Sequence, residues 1–167
     1  MQWSQLRKRL KERLADSIKS RIDVHQTRYR HAHDQEGEIW LSVDGNSVFN
    51  AGSSAYLSKL GTLVSENIKQ CDNWSEAYDR AWPIMNASGL FLLEDINRDL
   101  FDSLNQTVEQ MLTHKNPLIR ALALADYRYG KRRLLSFQVA DEHPLVQIVF
   151  YLRCDIEGIK YQSPTCI

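Results

Sequence analysis

Only three cysteines occur in the 167-residue sequence, Cys71, Cys154 and Cys166, and no two are spaced C-x-x-C. An odd set without that spacing argues against a disulfide framework or a cysteine-based zinc site, and three free thiols in a reducing compartment are expected. No stretch approaches the ~18 apolar residues of a membrane span. The opening M-Q-W-S-Q-L-R-K-R-L-K is basic, but no apolar run follows it, so it does not read as a signal peptide. A cytoplasmic location is the expectation. Net charge is zero, with 21 Lys/Arg against 21 Asp/Glu. That balance disfavours a dedicated nucleic-acid binder, whose domain is usually strongly basic.

The motifs of common chemistries are missing too. There is no G-x-S-x-G elbow, no G-x-G-x-x-G and no G-x-x-x-x-G-K-[ST]. No cysteine stands in a nucleophile motif. No catalytic residue and no cofactor are read from the sequence, and an enzyme is not expected.

What the chain does have is apolar residues, 43% of the total, enough for one domain of this length to bury roughly 70% of its unfolded surface. Their period changes along the chain. Trp3, Leu6, Leu10, Leu14, Ile18 and Ile22 recur at threes and fours, which predicts a helix from about Ser4 to Arg21. Val24–Tyr29 and Glu38–Val43 are rich in β-branched and aromatic residues. Asp44-Gly45 with Asn46 is a hairpin signal, and Ser47–Asn50 makes a third short strand. The result is an antiparallel meander with Trp40 turned towards the helices.

After Gly52 the helical period returns. Leu57, Leu60, Val64 and Ile68 form one stripe, and Trp74, Tyr78, Ala81, Trp82 and Met85 another behind an Asn73 cap. Pro83 should kink or shorten that helix. Leu93, Ile96, Leu100, Leu104, Val108 and Met111 form the longest stripe. Asn116-Pro117 and His143-Pro144 each read as a cap followed by proline at the first helical position. The first opens a helix carrying Leu118, Leu122, Ala125 and Tyr129 to Gly130, and the second a helix ending at Gly158. With about six helices, one small sheet and no strand–helix alternation, a doubly wound fold is disfavoured. The predicted class is α+β: a helix-dominated single domain, residues 1–167, with a small three-stranded antiparallel sheet near the N-terminus.

Charge is segmented. Residues 1–33 carry nine Lys/Arg and three Asp/Glu, residues 34–112 four and thirteen, and residues 113–167 eight and five. An acidic middle between basic ends either neutralises itself within the fold or leaves separate acidic and basic surfaces. Three clusters stand out. His25, His31, His33 and Asp34 could ligate a divalent cation, but H-x-H recurs by chance and no distant ligand is marked, so no metal is expected. Asp95, Asp99 and Asp102 are spaced four and three along one helix side, where a cationic partner would relieve their repulsion. Arg128, Lys131, Arg132 and Arg133 are interleaved with Tyr127 and Tyr129. They could grip phosphates and stack on bases, or answer the partial negative charge at a helix C-terminus.

Certain strings carry a family likeness: Trp3-Ser4-x-Leu6 with Ala15-Asp16-Ser17; Thr27-x-Tyr29-Arg30 with Gly37, Trp40 and Asp44-Gly45; and Asn116-Pro117-x-Ile119-Arg120-Ala121-Leu122-Ala123 with Asp126, Arg128 and Gly130-Lys131-Arg132-Arg133-Leu134. Together they resemble the YxxD-like family of small bacterial proteins, one member of which is regarded as the immunity partner of an LXG-type toxin. Residues 50–112 lie outside the match. The resemblance implies an antitoxin that binds and occludes a toxin domain, a nuclease being one candidate class, and transfers no catalytic residue. Since nuclease surfaces are often basic, Asp95, Asp99 and Asp102 become the expected contacts. The alternative is a nucleic-acid-binding or regulatory protein using Arg128–Arg133.

Overall fold

The computed structural model describes residues 2–28 and 37–161. Helix α1 (Trp3–Arg13) leads into strands β1 (Ile22–Arg28), β2 (Gly37–Val43) and β3 (Asn46–Gly52). There follow α2 (Ser53–Asn67), α3 (Trp74–Ala87), α4 (Leu93–Ser103), α5 (Val108–Leu112), α6 (Pro117–Ala125), α7 (Lys131–Ser136) and α8 (Pro144–Glu157). The class is α+β, as the change of period predicts, and the sheet is antiparallel in the order β1-β2-β3. Asp44 (φ 51) and Gly45 (φ 80) make the tight β2–β3 turn.

The sheet buries one face. Ile22 and Val24 of β1, Ile39 and Leu41 of β2 and Ala51 of β3 join the main core. Trp40 alternates to the other face, contrary to the expectation, and stacks on His25 with centroids 5.0 Å apart. Helix α6 is the hub of that core: every residue in it except Arg120 is buried. A second, smaller core of Tyr56, Leu63, Val64, Ala77, Ala81 and Met85 joins α2 to α3.

The ends of three helices differ from the periodic reading, and contacts with distant parts of the chain accompany each. Helix α1 stops at Arg13 because the next residues pair with another part of the chain. Leu14 bridges to Asp126, the Ala15 N–H donates to the Ala125 carbonyl at 2.8 Å, and the Tyr127 N–H to that of Arg13 at 2.9 Å. Ile18, in a turn, and Ile22, at the start of β1, still reach the core. The long stripe from Leu93 to Met111 is cut after Ser103. Thr107 and Gln110 form a reciprocal capping box that starts α5. The carbonyls left over at the end of α4 are answered by Arg13, which donates to Ser103 and Leu104.

Helix α6 ends at Ala125, short of Tyr129. Buried Arg153 of α8 donates to the carbonyls of Leu124 and Asp126 there, the latter at 2.9 Å. A separate short helix, α7, then begins at the basic cluster. Pro83 does not shorten its helix, since α3 continues to Ala87.

Candidate binding surfaces

The three aspartates of α4 do not form one acidic surface. Asp99 is only 8% exposed. Its Oδ2 accepts from Asn116 Nδ2 at 3.1 Å, and Oδ1 lies 3.8 Å from His114 Nε2. Asn116, itself buried, accepts from the Leu118 N–H at 3.0 Å and so caps α6. Asp99 therefore fastens α4 to the start of the central helix and cannot meet a partner. Asp95 is paired with Arg98 one turn on, and Asp102 alone is open to solvent. Side-chain spacing placed all three on one helix side correctly, but that side packs against the His114–Asn116 turn. Burial pulls the pKa of His114 below its ordinary value, although the charge of Asp99 opposes this.

The basic cluster is largely engaged within the fold. Arg128 lies on the carboxylate of buried Asp126, with Nη2 2.7 Å from Oδ2, and gives Nη1 to the Gln106 carbonyl at 3.1 Å. Arg133 pairs with Glu109 and sits over the Tyr129 ring, 5.2 Å from its centroid. Lys131 Nζ donates to the Glu157 carbonyl at 3.0 Å. A cation does answer a helix C-terminus, then, but it is that of α8, while the cluster itself opens α7. Arg132 is exposed and has no side-chain partner among the described residues.

Of the histidine cluster, only His25 lies within the described residues; His31, His33 and Asp34 fall outside them. The His25 Nε2 lies 2.7 Å from Ser42 Oγ. Among the described residues no three His, Cys, Asp or Glu side chains are grouped to hold a metal ion. Cys154 is fully buried, and burial raises its thiol to about 11, which keeps it protonated at neutral pH.

Two other features are better placed to bind. The first is the α2–α3 hairpin. The expected stripe of α3 is split: Ala77, Ala81 and Met85 bury against α2, whereas Trp74 is 65% and Tyr78 38% exposed. Two rows about 60° apart on one helix read alike in sequence, and the small alanines let α2 approach closely. Tyr78 stacks on Trp82 at 6.0 Å, Trp82 meets Tyr56 edge-on, and Leu57 and Ile84 are also exposed. Burial and the hydrogen bond it shares with Tyr78 raise the Tyr56 hydroxyl well above its ordinary pKa. On this hairpin Glu66, Asp72 and Asp79 have no ion-pair partner among the described residues, and neither do Lys59 and Lys69; on α4 the same holds for Glu94 and Asp102. Among the described residues only Arg21–Asp44 and Arg133–Glu109 join a basic end to the acidic middle by an Arg–carboxylate pair. Cross-segment neutralisation is therefore small.

The second feature is a cavity of about 510 Å³ between the N-terminus of α1, the end of β1 and the outer side of α4. Its walls include the rings of Trp3 and Phe101 and the guanidinium-bearing side chains of Arg28 and Arg98. Two of the lining residues, Gln26 and Asn97, also carry a fully buried polar atom, Oε1 and Nδ2, that has no hydrogen-bond partner among the described residues. The sequence carried a signal for this that periodicity alone passes over: Gln26 and Arg28 continue the Ile22–Val24 row on the core side of β1, where apolar residues belong.

Among the described residues no helix is long and apolar enough to cross a membrane. No curated protein and no solved structure matches the chain. A family model does match, over residues 2–154, and takes in both the hairpin and the cavity as well as the capped helices around α6. Since that match covers far more than half its length, the chain belongs to the SF0329 protein family.

Proposed function

We propose that the protein acts by binding a protein partner with a basic face, and that the partner is a toxin domain which it occludes, as an immunity protein does. The observation that carries this reading is the α2–α3 hairpin, which exposes Trp74 and Tyr78 of α3 together with Leu57 and Ile84. Trp and Tyr at the centre of a patch are the residues that dominate binding energy at protein interfaces. Among the described residues the hairpin's unpaired carboxylates, Glu66, Asp72 and Asp79, outnumber its unpaired cations, Lys59 and Lys69, and an excess of one sign speeds encounter with a partner of the other. The engaged state of Arg128, Lys131 and Arg133 favours this reading over nucleic-acid binding. The resemblance to the YxxD-like family points to a toxin as the partner class.

The test is co-expression with the product of the neighbouring toxin gene. Wild type should restore growth and co-purify with the toxin. Trp74→Ala with Tyr78→Ala should lose about 2 kcal/mol or more of binding, a Kd roughly 30-fold weaker or worse, at equal soluble levels. If wild type binds no such product, the immunity reading fails. If the double variant protects as well as wild type, immunity stands and the hairpin is the wrong surface.

A further inference from the structure

The two interiors of the molecule are separate. Tyr56, Leu63, Val64, Ala77, Ala81 and Met85 pack among themselves between α2 and α3, apart from the main core around α6. Helix α2 also lies against β2 and β3, whereas α3 packs on α2 and on the turn at Ile68–Gln70. Polar contacts divide the same way. Tyr56 bonds to Tyr78, Asn67 donates to the Ala77 carbonyl at 3.2 Å, and Arg80 pairs with Glu76 at 2.7 Å. Among the described residues no side chain of residues 53–87 forms a hydrogen bond or ion pair outside that segment. Two joints hold the hairpin to the body. Strand β3 passes straight into α2 at Gly52–Ser53, and residues 88–92 return the chain to α4. Both joints are tightly seated. A Cβ on Gly52 would lie 2.6 Å from the Gly37 carbonyl oxygen, and one on Gly89 2.7 Å from Pro117 Cγ and 3.3 Å from His143 Nε2.

We propose that the α2–α3 hairpin is an arm that opens as one cooperative unit while the rest of the domain stays folded. Its own stabilisation is small. Two of the six side chains in its core are alanines, which leaves Tyr56, Leu63, Val64 and Met85 to offset the conformational entropy of residues 53–87. The main core draws on α1, the sheet and α4 to α8, and it loses none of its buried members when the smaller one is exposed. A segment with few buried apolar contacts of its own belongs to the low-stability units of a native protein. The two helices must open together, because α3 has its apolar face covered by α2 and short helices do not persist alone in water. Gly61 lies within α2 with open space around it, and Pro83 lies within α3, so each helix also carries a residue that weakens it. Opening disperses the ridge of Trp74 and Tyr78, and the share of molecules competent to bind is then set by the arm's own equilibrium. That consequence rests on the hairpin being the partner-binding surface; the opening itself does not.

The experiment is native-state hydrogen exchange on the full chain without any partner, in urea concentrations below the global transition. The amides of α2 and α3 should share one opening, populated at least about thirtyfold more than the opening that exposes the amides of α6 and α8. Met85→Ala removes most of a fully buried side chain from the smaller core. It should speed exchange in both hairpin helices at least about tenfold further and leave α6 unchanged. Should that variant fail to fold, Leu63→Ala gives the same reading from α2. The proposal is overturned if α2 and α3 are protected as well as α6, if the two helices open separately with different urea dependence, or if the variant speeds exchange in α6 as much as in the hairpin. Because no partner is present, the result stands or falls independently of the co-expression test.

Discussion

Replacing Asp99 with lysine separates two descriptions of the same helix side. From spacing alone, Asp99→Lys combined with Asp102→Lys should leave stability nearly unchanged, because both residues count as surface charges. The structure makes them opposites. Asp99 is 8% exposed and accepts from Asn116 at 3.1 Å. Removing its carboxylate leaves a buried amide donor unpaired, at a cost of about 1–3 kcal/mol. The incoming ammonium must then lie beside His114 and near Lys115 and Arg120, or drag its stem out of the packed turn. By analogy with breaking a buried charged pair, the expected loss is about 3–5 kcal/mol, a large part of the roughly 5–15 kcal/mol that holds a domain together. Asp102→Lys, at an exposed site, should change stability by less than about 0.5 kcal/mol. Urea unfolding followed by tryptophan fluorescence and by far-UV circular dichroism gives both values from the midpoints, with the slope checked for constancy. A loss of less than about 1 kcal/mol for Asp99→Lys would refute the fastening of α4 to the α6 cap, and would return Asp99 to the surface.

The other expectations concern caps and packing. Burial holds His114 and His143 below their ordinary pKa, and the Nδ1 of each accepts a backbone N–H, from Asn116 and Leu145 respectively. The unfolded chain therefore takes up protons first as pH falls, so stability is full above about 6.5 and declines below it. Replacing both by Asn, which accepts without titrating, should flatten a plot of urea midpoint against pH between about 7 and 5. Arg153→Met removes the donor to Leu124 and Asp126 and strands Glu157, and should lower stability by about 3–5 kcal/mol in thermal and urea unfolding. Gly89→Ala meets a φ of +69° and a Pro117 Cγ 2.7 Å from the new Cβ, whereas Gly45→Ala meets a φ of +80° with open space around it. The first should cost about 1–3 kcal/mol and the second about 1, and equal losses by calorimetry would refute the Gly89–Pro117 contact.

The class, the three strands, the Asp44-Gly45 turn and the proline-led starts of α6 and α8 were all legible in the sequence. Each rests on interactions between residues close along the chain: period two against 3.6, a left-handed turn, a side chain capping the next few N–H groups. The ends of helices were not legible in the same way. Arg13 and Arg153 close α4 and α6 from distant points of the chain, and Leu14 leaves the helical path to pair with Asp126. Periodicity registers where apolar residues can share a face, and it carries no record of which distant donor will take up the carbonyls at that face's end. The same limit governs the candidate sites. Spacing grouped Asp95, Asp99 and Asp102, but burial turned Asp99 inwards. It joined Trp74 to Ala81 in one stripe, but α2 covered the alanines and left the tryptophan exposed. The cavity brings together residues 2–6, 26–28 and 97–101, which are adjacent only because β1 and α4 both pack beside α1. Its two unpaired amides are polar residues like any others in the sequence. Only the tertiary structure sets them apart, by removing water from one atom of each and giving that atom no partner among the described residues.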